Sequence, residues 1–284
     1  MKTAIVTDST AFLRESYKDK ENLFTVPIPV ILDGQMYRED VDIQAEEYYT
    51  LLKQSKDFPK TSQPAIGEVI ELYKQIAAEG YDAIVSIHLS SGISGFVNTL
   101  ASFADSIEEI DVYPFDSLIT SGPMGFMVET ALDMAEEHKS PQEILQALTE
   151  MREGVHAYLI VDDLNNLVRG GRLKNGAAII GTLLKIKPIL RFDNGAIVLH
   201  EKIRSMKKAL QRSEEIVLDH IGNDTSGYRV NVIHANNLEL AIQERDSLLA
   251  KYPDMDVDIC YFGPVIGTHL GEKAIAIGFS PKVR

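Results

Sequence analysis

The chain has 284 residues, of which 45% are hydrophobic and 25% are charged, a balance typical of folded globular proteins rather than disordered ones. Its 42 acidic and 28 basic residues leave a formal charge of −14, which argues against nucleic-acid binding as the main function. The single cysteine, Cys260, excludes an internal disulfide, and no Cys/His spacing typical of a zinc site is present. The sequence therefore predicts a cytoplasmic protein without a metal ion or cofactor.

The order of the predicted elements indicates the fold class. Apolar runs at residues 2–6, 84–89 and 111–115 predict strands of a parallel sheet, with amphipathic helices between them. After Gly154, further strands and helices follow, including a strand pair across the turn at 193–195. We therefore predict a two-domain α/β protein, with a parallel-sheet domain at residues 1–155 and a mixed-sheet domain at residues 156–284. The sequence shows no signal-peptide pattern and no apolar run of roughly 20 residues, the length needed to span a bilayer. We therefore expect neither a signal peptide nor a membrane-spanning helix.

Polar residues follow two of the predicted parallel strands. Asp8 and Ser9 come after the first strand, and Ser117 and Ser121 come after the strand at 111–115. Because ligands of open α/β sheets bind at the carboxyl ends of the strands, these four residues are candidates for the edge of a site. The alternative is that they only cap the helices that follow.

Two hydroxyl-rich turns are stronger candidates. Ser91 and Ser94 follow the strand at 84–89, and Thr61 and Ser62 precede a predicted helix at 66–78. Such turns place hydroxyls and backbone N–H groups at a helix N-terminus, where the helix dipole favours an anion such as a carboxylate or phosphate. Ordinary helix capping is again the alternative. The Met-rich helix predicted at 124–137 suits either a flexible apolar cavity or the core.

The second half of the chain adds cationic candidates and one histidine. Arg169 and Arg172 bracket a glycine pair, and Arg204 leads into a lysine-rich helix. The first two could bind an anion, and Arg204 with its helix could form a docking surface for an acidic or nucleotide-binding partner. The alternative is that all of them are solvated surface charges. His269 lies in a segment flanked by glycines, predicted as a loop. There its titration near neutral pH would suit hydrogen bonding to a carboxylate or an acyl phosphate.

Five stretches together resemble the DegV family. They are the sequences at residues 6–10, 61–64, 89–95, 170–172 and 263–269. The resemblance implies a two-domain α/β protein that encloses one long-chain fatty acid between its domains. In that bacterial family the protein is the non-catalytic carrier subunit of a fatty acid kinase. A separate ATP-binding subunit phosphorylates the carboxylate, and the acyl phosphate enters phospholipid synthesis.

The resemblance also assigns roles to positions of this chain. It implies that the fatty acid carboxylate is held by Thr61 or Ser62 together with Ser94 and its neighbour Ser91, with His269 beside it. It also implies that Arg172, Arg204 and Arg169 face the kinase subunit or the phosphoryl group. Three positions depart from the family pattern, namely Ala65, Phe96 and Glu272. Phe96 is expected to pack, and Glu272 to bring negative charge close to the carboxylate.

Two other functions remain open at this point. One is a free-standing phosphotransferase that uses Asp8, His269 and Arg172, and the other is a regulatory or structural α/β protein. The chain contains no P-loop, no GxSxG elbow and no HExxH sequence, which favours a binding protein over an enzyme.

Overall fold

A computed structural model of the chain describes residues 2–179, 186–222 and 224–283. Its first part contains, in chain order, β1 (Thr3–Asp8), α1 (Glu15–Lys18), β2 (Leu23–Val26), β3 (Pro29–Leu32), β4 (Gln35–Arg38), α2 (Ala45–Gln54), β5 (Lys60–Thr61), α3 (Ile66–Ala78), β6 (Ala83–His88), α4 (Phe96–Ala104), β7 (Asp111–Asp116), α5 (Ser121–Glu136) and α6 (Pro141–Gly154). Its second part contains β8 (His156–Ile160), α7 (Asn165–Arg169), α8 (Gly176–Ile179), β9 (Lys187–Asp193), β10 (Ala196–Ile203), α9 (Met206–Ile221), a 3-10 helix (Thr225–Gly227), β11 (Tyr228–His234), α10 (Leu238–Lys251), β12 (Asp256–Tyr261), α11 (Pro264–Leu270) and β13 (Ile275–Pro281).

The predicted parallel sheet is confirmed. Its strand order is β2-β1-β6-β7, and every neighbouring pair is parallel. All residues of β1 and β6 are buried, because helices cover both faces of such a sheet, and this explains their uninterrupted apolar sequences. The carboxyl ends of these strands meet at one edge, where the polar turns lie.

A small three-stranded sheet projects from this part of the chain. It has the order β4-β3-β5, and its pairs are antiparallel. The hairpin turn between β3 and β4 lies at Asp33 and Gly34, whose φ angles of 49° and 80° suit Asp-Gly. This sheet packs against α11 from the far end of the sequence. It therefore brings Thr61, at the end of β5, close to His269 of α11.

The second large sheet is mixed, as predicted, so that the two-domain α/β fold is confirmed. Its order is β10-β9-β8-β13-β11-β12, with β11 and β12 parallel and the other pairs antiparallel. The predicted strand pair across residues 193–195 is present as β9 and β10. The sequence predicts that this strand pair begins at Lys185. That residue lies outside the described residues, as does most of the apolar stretch at 177–184.

Helices α5 and α6 lie between the two large sheets. α5 packs against β1 and β6 on one side and against β11, β12 and β13 on the other. Met124 and Met127 of α5 are fully buried in this shared core, so of the two alternatives for the Met-rich helix these residues fit the core. The boundary expected between residues 155 and 156 stays a prediction. Within the described residues, no helix combines the length and apolarity needed to cross a membrane.

A candidate site between the sheets

A cavity of about 280 Å3 lies between the turns of the first half and the mixed sheet. Loops that follow β5 and β6, the strands β8 to β10, and α11 contribute its walls. Its apolar lining consists of Ile28, Leu89, Ile93, Leu159, Phe192, Ile197, Val265, Ile266 and Leu270. Its polar lining consists of Thr61, Ser62, Gln63, Ser94, Thr120, Arg172 and His269, next to Gly95. Five of the predicted site residues therefore share one cavity.

Direct contacts join several of these polar groups into one cluster. The hydroxyl of Thr61 is hydrogen-bonded to Nε2 of His269 at 2.9 Å. Gly170 packs against the same imidazole, since a Cβ there would lie 2.5 Å from Nδ1. The guanidinium of Arg172 donates to the carbonyl of Gly170 at 2.5 Å and to that of Ile93 at 3.2 Å. Arg172 is thus held beside His269 by main-chain acceptors, and no carboxylate among the described residues pairs with it.

The protonation of His269 differs from the sequence-based expectation. Burial, assisted by the positive charge of Arg172, lowers the pKa of His269 to about 4, so the imidazole is neutral at physiological pH rather than poised to titrate. Its Nδ1 is buried and has no hydrogen-bond partner among the described residues. A neutral imidazole and a guanidinium at one end of an apolar cavity can receive an anionic group without a competing carboxylate.

The expectation that His269 lies in a loop is wrong, because residues 264–270 form α11. Pro264 occupies the first turn, and Gly263 and Gly271 stand at the two ends. Two partners distant in sequence hold this short helix. The N–H of Val265 donates to Glu39 Oε1 at 3.0 Å, and Thr268 shares a 2.7 Å hydrogen bond with Tyr48. Neither partner is recognisable from the local sequence, because both lie more than 200 residues away.

The serines after β6 have separate roles. Ser94 lines the cavity, whereas Ser91 does not, and the N–H of Ser91 donates to Asp116 Oδ1 at 3.1 Å. Ser90, which the sequence did not single out, is buried and donates to the main-chain carbonyl of Gly195 at 2.7 Å. Only Ser94 of the predicted pair is therefore placed to touch a ligand directly.

The four residues predicted at the edge of the site line no wall of this cavity. Asp8 is buried and accepts hydrogen bonds from Thr10 and from the N–H of Leu89, which joins β1 to the end of β6. Ser117 and Ser121 are buried, and their hydroxyls donate to main-chain carbonyls. Ser9 donates to Glu39 Oε2 at 2.6 Å. Asp8 and Ser9 do not cap a helix, since α1 begins only at Glu15, and Ser117 and Ser121 do not cap α5, whose N-cap residue is Thr120.

Two of the predicted arginines also lie outside the cavity. Arg169 is exposed, with its guanidinium 4.0 Å from the ring of Phe58. Arg204 is exposed directly after β10, seven residues beyond Ile197 of the cavity wall, which corresponds to roughly 20 Å along a strand. The structure therefore separates Arg204 from Arg172.

The departures from the family pattern leave the cavity intact. Phe96 is buried and packs edge-to-face on His88. Glu272 pairs with Lys53 at 2.8 Å and does not line the cavity, and the expectation that its charge lies close to the carboxylate stays a prediction. Gln63 and Thr120 line the cavity without having been predicted. Among the described residues, no group of three or more His, Cys, Asp or Glu side chains is arranged to hold a metal ion.

Comparisons with known proteins agree with this architecture. The family model described as "Uncharacterised protein, DegV family" matches residues 2–282. A DegV domain-containing protein of Listeria monocytogenes is 43% identical over 281 residues, covering 99% of both chains. The crystal structure of a fatty acid binding DegV family protein from Streptococcus agalactiae has a TM-score of 0.94 and 38% identity, with 100% of both chains covered. That of DegV, a fatty acid binding protein from Bacillus subtilis, has a TM-score of 0.91 and 43% identity, covering 99% of this chain and 100% of that chain. The chain therefore belongs to the DegV family.

Proposed function

We propose that the chain binds one long-chain fatty acid in the cavity between the sheets, with the carboxylate at Thr61, Ser94 and His269 and with Arg172 nearby. The observation that carries the proposal is the composition of the cavity, an apolar pocket with hydroxyls, a neutral imidazole and a guanidinium among its walls. The fatty acid binding described for the proteins from Streptococcus agalactiae and Bacillus subtilis supports the same ligand class.

The binding energy of such a ligand comes mainly from its chain. Each buried methylene contributes about 0.8 kcal/mol, whereas a hydrogen bond to a charged group contributes roughly 1.5–3 kcal/mol. The head group therefore sets the orientation, and the apolar walls supply most of the affinity. The positive charge of Arg172 offsets part of the cost of moving a carboxylate out of water.

The second part of the proposal is that the protein presents the bound carboxylate to a separate kinase subunit, which phosphorylates it to an acyl phosphate for phospholipid synthesis. The protein is then a carrier rather than an enzyme. The exposed Arg204 offers a surface for the partner. The competing phosphotransferase would need Asp8 next to His269 and Arg172, yet Asp8 is buried outside the cavity and bonded to Thr10 and Leu89.

Mass spectrometry of the purified protein tests the binding step. Under native conditions the mass should exceed that of the chain by one fatty acid, and denaturation should release that molecule for identification. A ligand-free protein that also refuses added oleate and palmitate would contradict the proposal.

The carrier step is tested with a reconstituted kinase and the Arg204→Ala variant. The variant should keep its fatty acid but be phosphorylated more slowly, whereas Lys56→Ala, which removes an exposed lysine in the first half of the chain, should have little effect. Equal rates for Arg204→Ala and the parent protein would count against a docking role. Hydrolysis of ATP or of an acyl phosphate by the purified chain alone would contradict the carrier assignment.

A further inference from the structure

A second cavity, of about 370 Å3, lies at the carboxyl ends of β1 and β2 and has no lining residue in common with the first. Its size is within the range of small-molecule sites. The proposed fatty acid function makes no use of it. Its walls combine carboxyl groups, hydroxyls and aromatic rings, so its chemistry differs from that of the first cavity.

Carboxyl groups outnumber basic side chains in the lining of this second cavity. Glu39 is 1% exposed in the wall, and Asp40 stands at the exposed rim. Among the described residues, no side chain or main-chain group donates a hydrogen bond to the carboxylate of Asp40, and no cation pairs with it. The single basic side chain in the lining as described, Lys18, already pairs with Glu15 at 2.8 Å. A ligand cation would therefore find an acceptor at the rim.

The other walls suit the same kind of ligand. Phe12 and Tyr261 pack edge-to-face with ring centroids 5.1 Å apart, and aromatic rings attract ammonium groups. Thr7 lines the cavity, and its buried hydroxyl has no hydrogen-bond partner among the described residues. Ser9 and Thr10 add further hydroxyls. From this geometry we infer that the second cavity binds a small organic cation that carries an ammonium group.

Glu39 connects this site to the first cavity. Ser9, in the wall of the second cavity, donates to Glu39 Oε2 at 2.6 Å, and the N–H of Val265, in the wall of the first, donates to Oε1 at 3.0 Å. Burial raises the pKa of Glu39 to about 8. A cation in the cavity opposes that shift, so binding at neutral pH releases protons. Glu39 also interacts electrostatically with other titratable groups, namely Asp8, Asp40, Tyr48, Tyr49 and Tyr261.

Isothermal titration calorimetry of the full chain with tetramethylammonium and with ethanolammonium tests the inference. At least one probe should bind saturably, and the heats measured in two buffers of different protonation enthalpy should reveal proton release. Asp40→Asn should weaken the affinity by about threefold to fivefold, the size expected for a partly exposed charge pair. Lys18→Met should strengthen it, because it removes a like charge.

The control is Glu46→Gln, which removes an exposed carboxylate outside the cavity and should leave the affinity unchanged. Thermal unfolding checks that each variant is folded. None of the three substitutions leaves a buried group without its hydrogen-bond or ion-pair partner. The absence of saturable binding of either probe by about 10 mM, a concentration that would detect even weak sites, overturns the inference. So does an affinity that neither Asp40→Asn nor Lys18→Met changes.

Discussion

The hydroxyl of Ser90 donates a 2.7 Å hydrogen bond to the main-chain carbonyl of Gly195. Ser90 lies two residues after the end of strand β6 of the parallel sheet, and Gly195 forms the β9–β10 turn of the mixed sheet. The contact joins the two sheets next to Ile93, Ser94 and Ile197 of the first cavity. It therefore sets how closely the serine turn approaches the opposite wall.

Gly92 should not tolerate a side chain, because a Cβ there would overlap the backbone of Gly195. Gly92→Ala is expected to lower the free energy of unfolding by about 1–3 kcal/mol, the usual cost of overpacking, and to speed the loss of bound lipid. Gly67→Ala is the matched control, since nothing lies within 4 Å of that position in α3. Urea denaturation measures both changes. Equal stability of Gly92→Ala and the parent would contradict the close approach.

Thr61→Val should impair fatty acid binding while keeping the fold. The substitution replaces the hydroxyl that contacts His269 with a methyl group, and loss of a hydrogen bond to a carboxylate costs roughly 1.5–3 kcal/mol. We expect the dissociation constant for oleate to rise about tenfold or more. Thr61→Ser should restore most of the affinity. Thr50→Val, which removes an exposed hydroxyl outside the cavity, serves as control, and a wild-type affinity of Thr61→Val would refute the head-group role.

The stability of the lipid-free protein should depend on pH through His269. Burial lowers its pKa in the folded state from 6.5 to about 4, so between these values the unfolded chain binds the proton and the folded protein does not. The contribution of His269 is present in full above pH 6.5 and is lost as the pH falls towards 4. His269→Gln should flatten this part of the curve, whereas the exposed control His138→Asn should not. Chemical denaturation across this pH range measures the slopes, and identical slopes for His269→Gln and the parent would argue against a buried neutral imidazole.

Glu129 of α5 should be the most sensitive ion-pairing residue between the two halves. Its buried carboxylate accepts from Arg14, at 2.6 Å, and from Arg229, at 2.7 Å, and Arg229 itself is only 6% exposed. Glu129→Ala leaves a buried guanidinium without its main partner, and we expect a loss of about 3–5 kcal/mol. Glu136→Ala on the same helix breaks an exposed pair with Lys20 and should cost less than about 1 kcal/mol. Thermal or urea unfolding compares the two, and similar small losses would show that the buried pair is dispensable.

Local sequence patterns determined the secondary structure and the class of the fold. Residues close together in the sequence are enough to predict three features of the fold. These are the buried strands β1 and β6 with their uninterrupted apolar runs, the Asp-Gly turn after β3, and the alternation of strands and helices. The motifs that contain Thr61, Ser94, Arg172 and His269 also pointed to residues that share a cavity. Their residue types carried the signal, because hydroxyls and glycines at strand ends are recognisable without coordinates.

Only the tertiary structure decided which polar residues face the cavity and what state they are in. Asp8, Ser117 and Ser121 lie at or after the ends of parallel strands, as Ser94 does, but their side chains form hydrogen bonds with main-chain groups outside the cavity. Glu39 and Tyr48 hold α11 across more than 200 residues of sequence, a contact that no local pattern encodes. The low pKa of His269 likewise arises from burial and from Arg172. Desolvation and long-range hydrogen bonding depend on which segments meet in space, and chain folding alone brings those segments together.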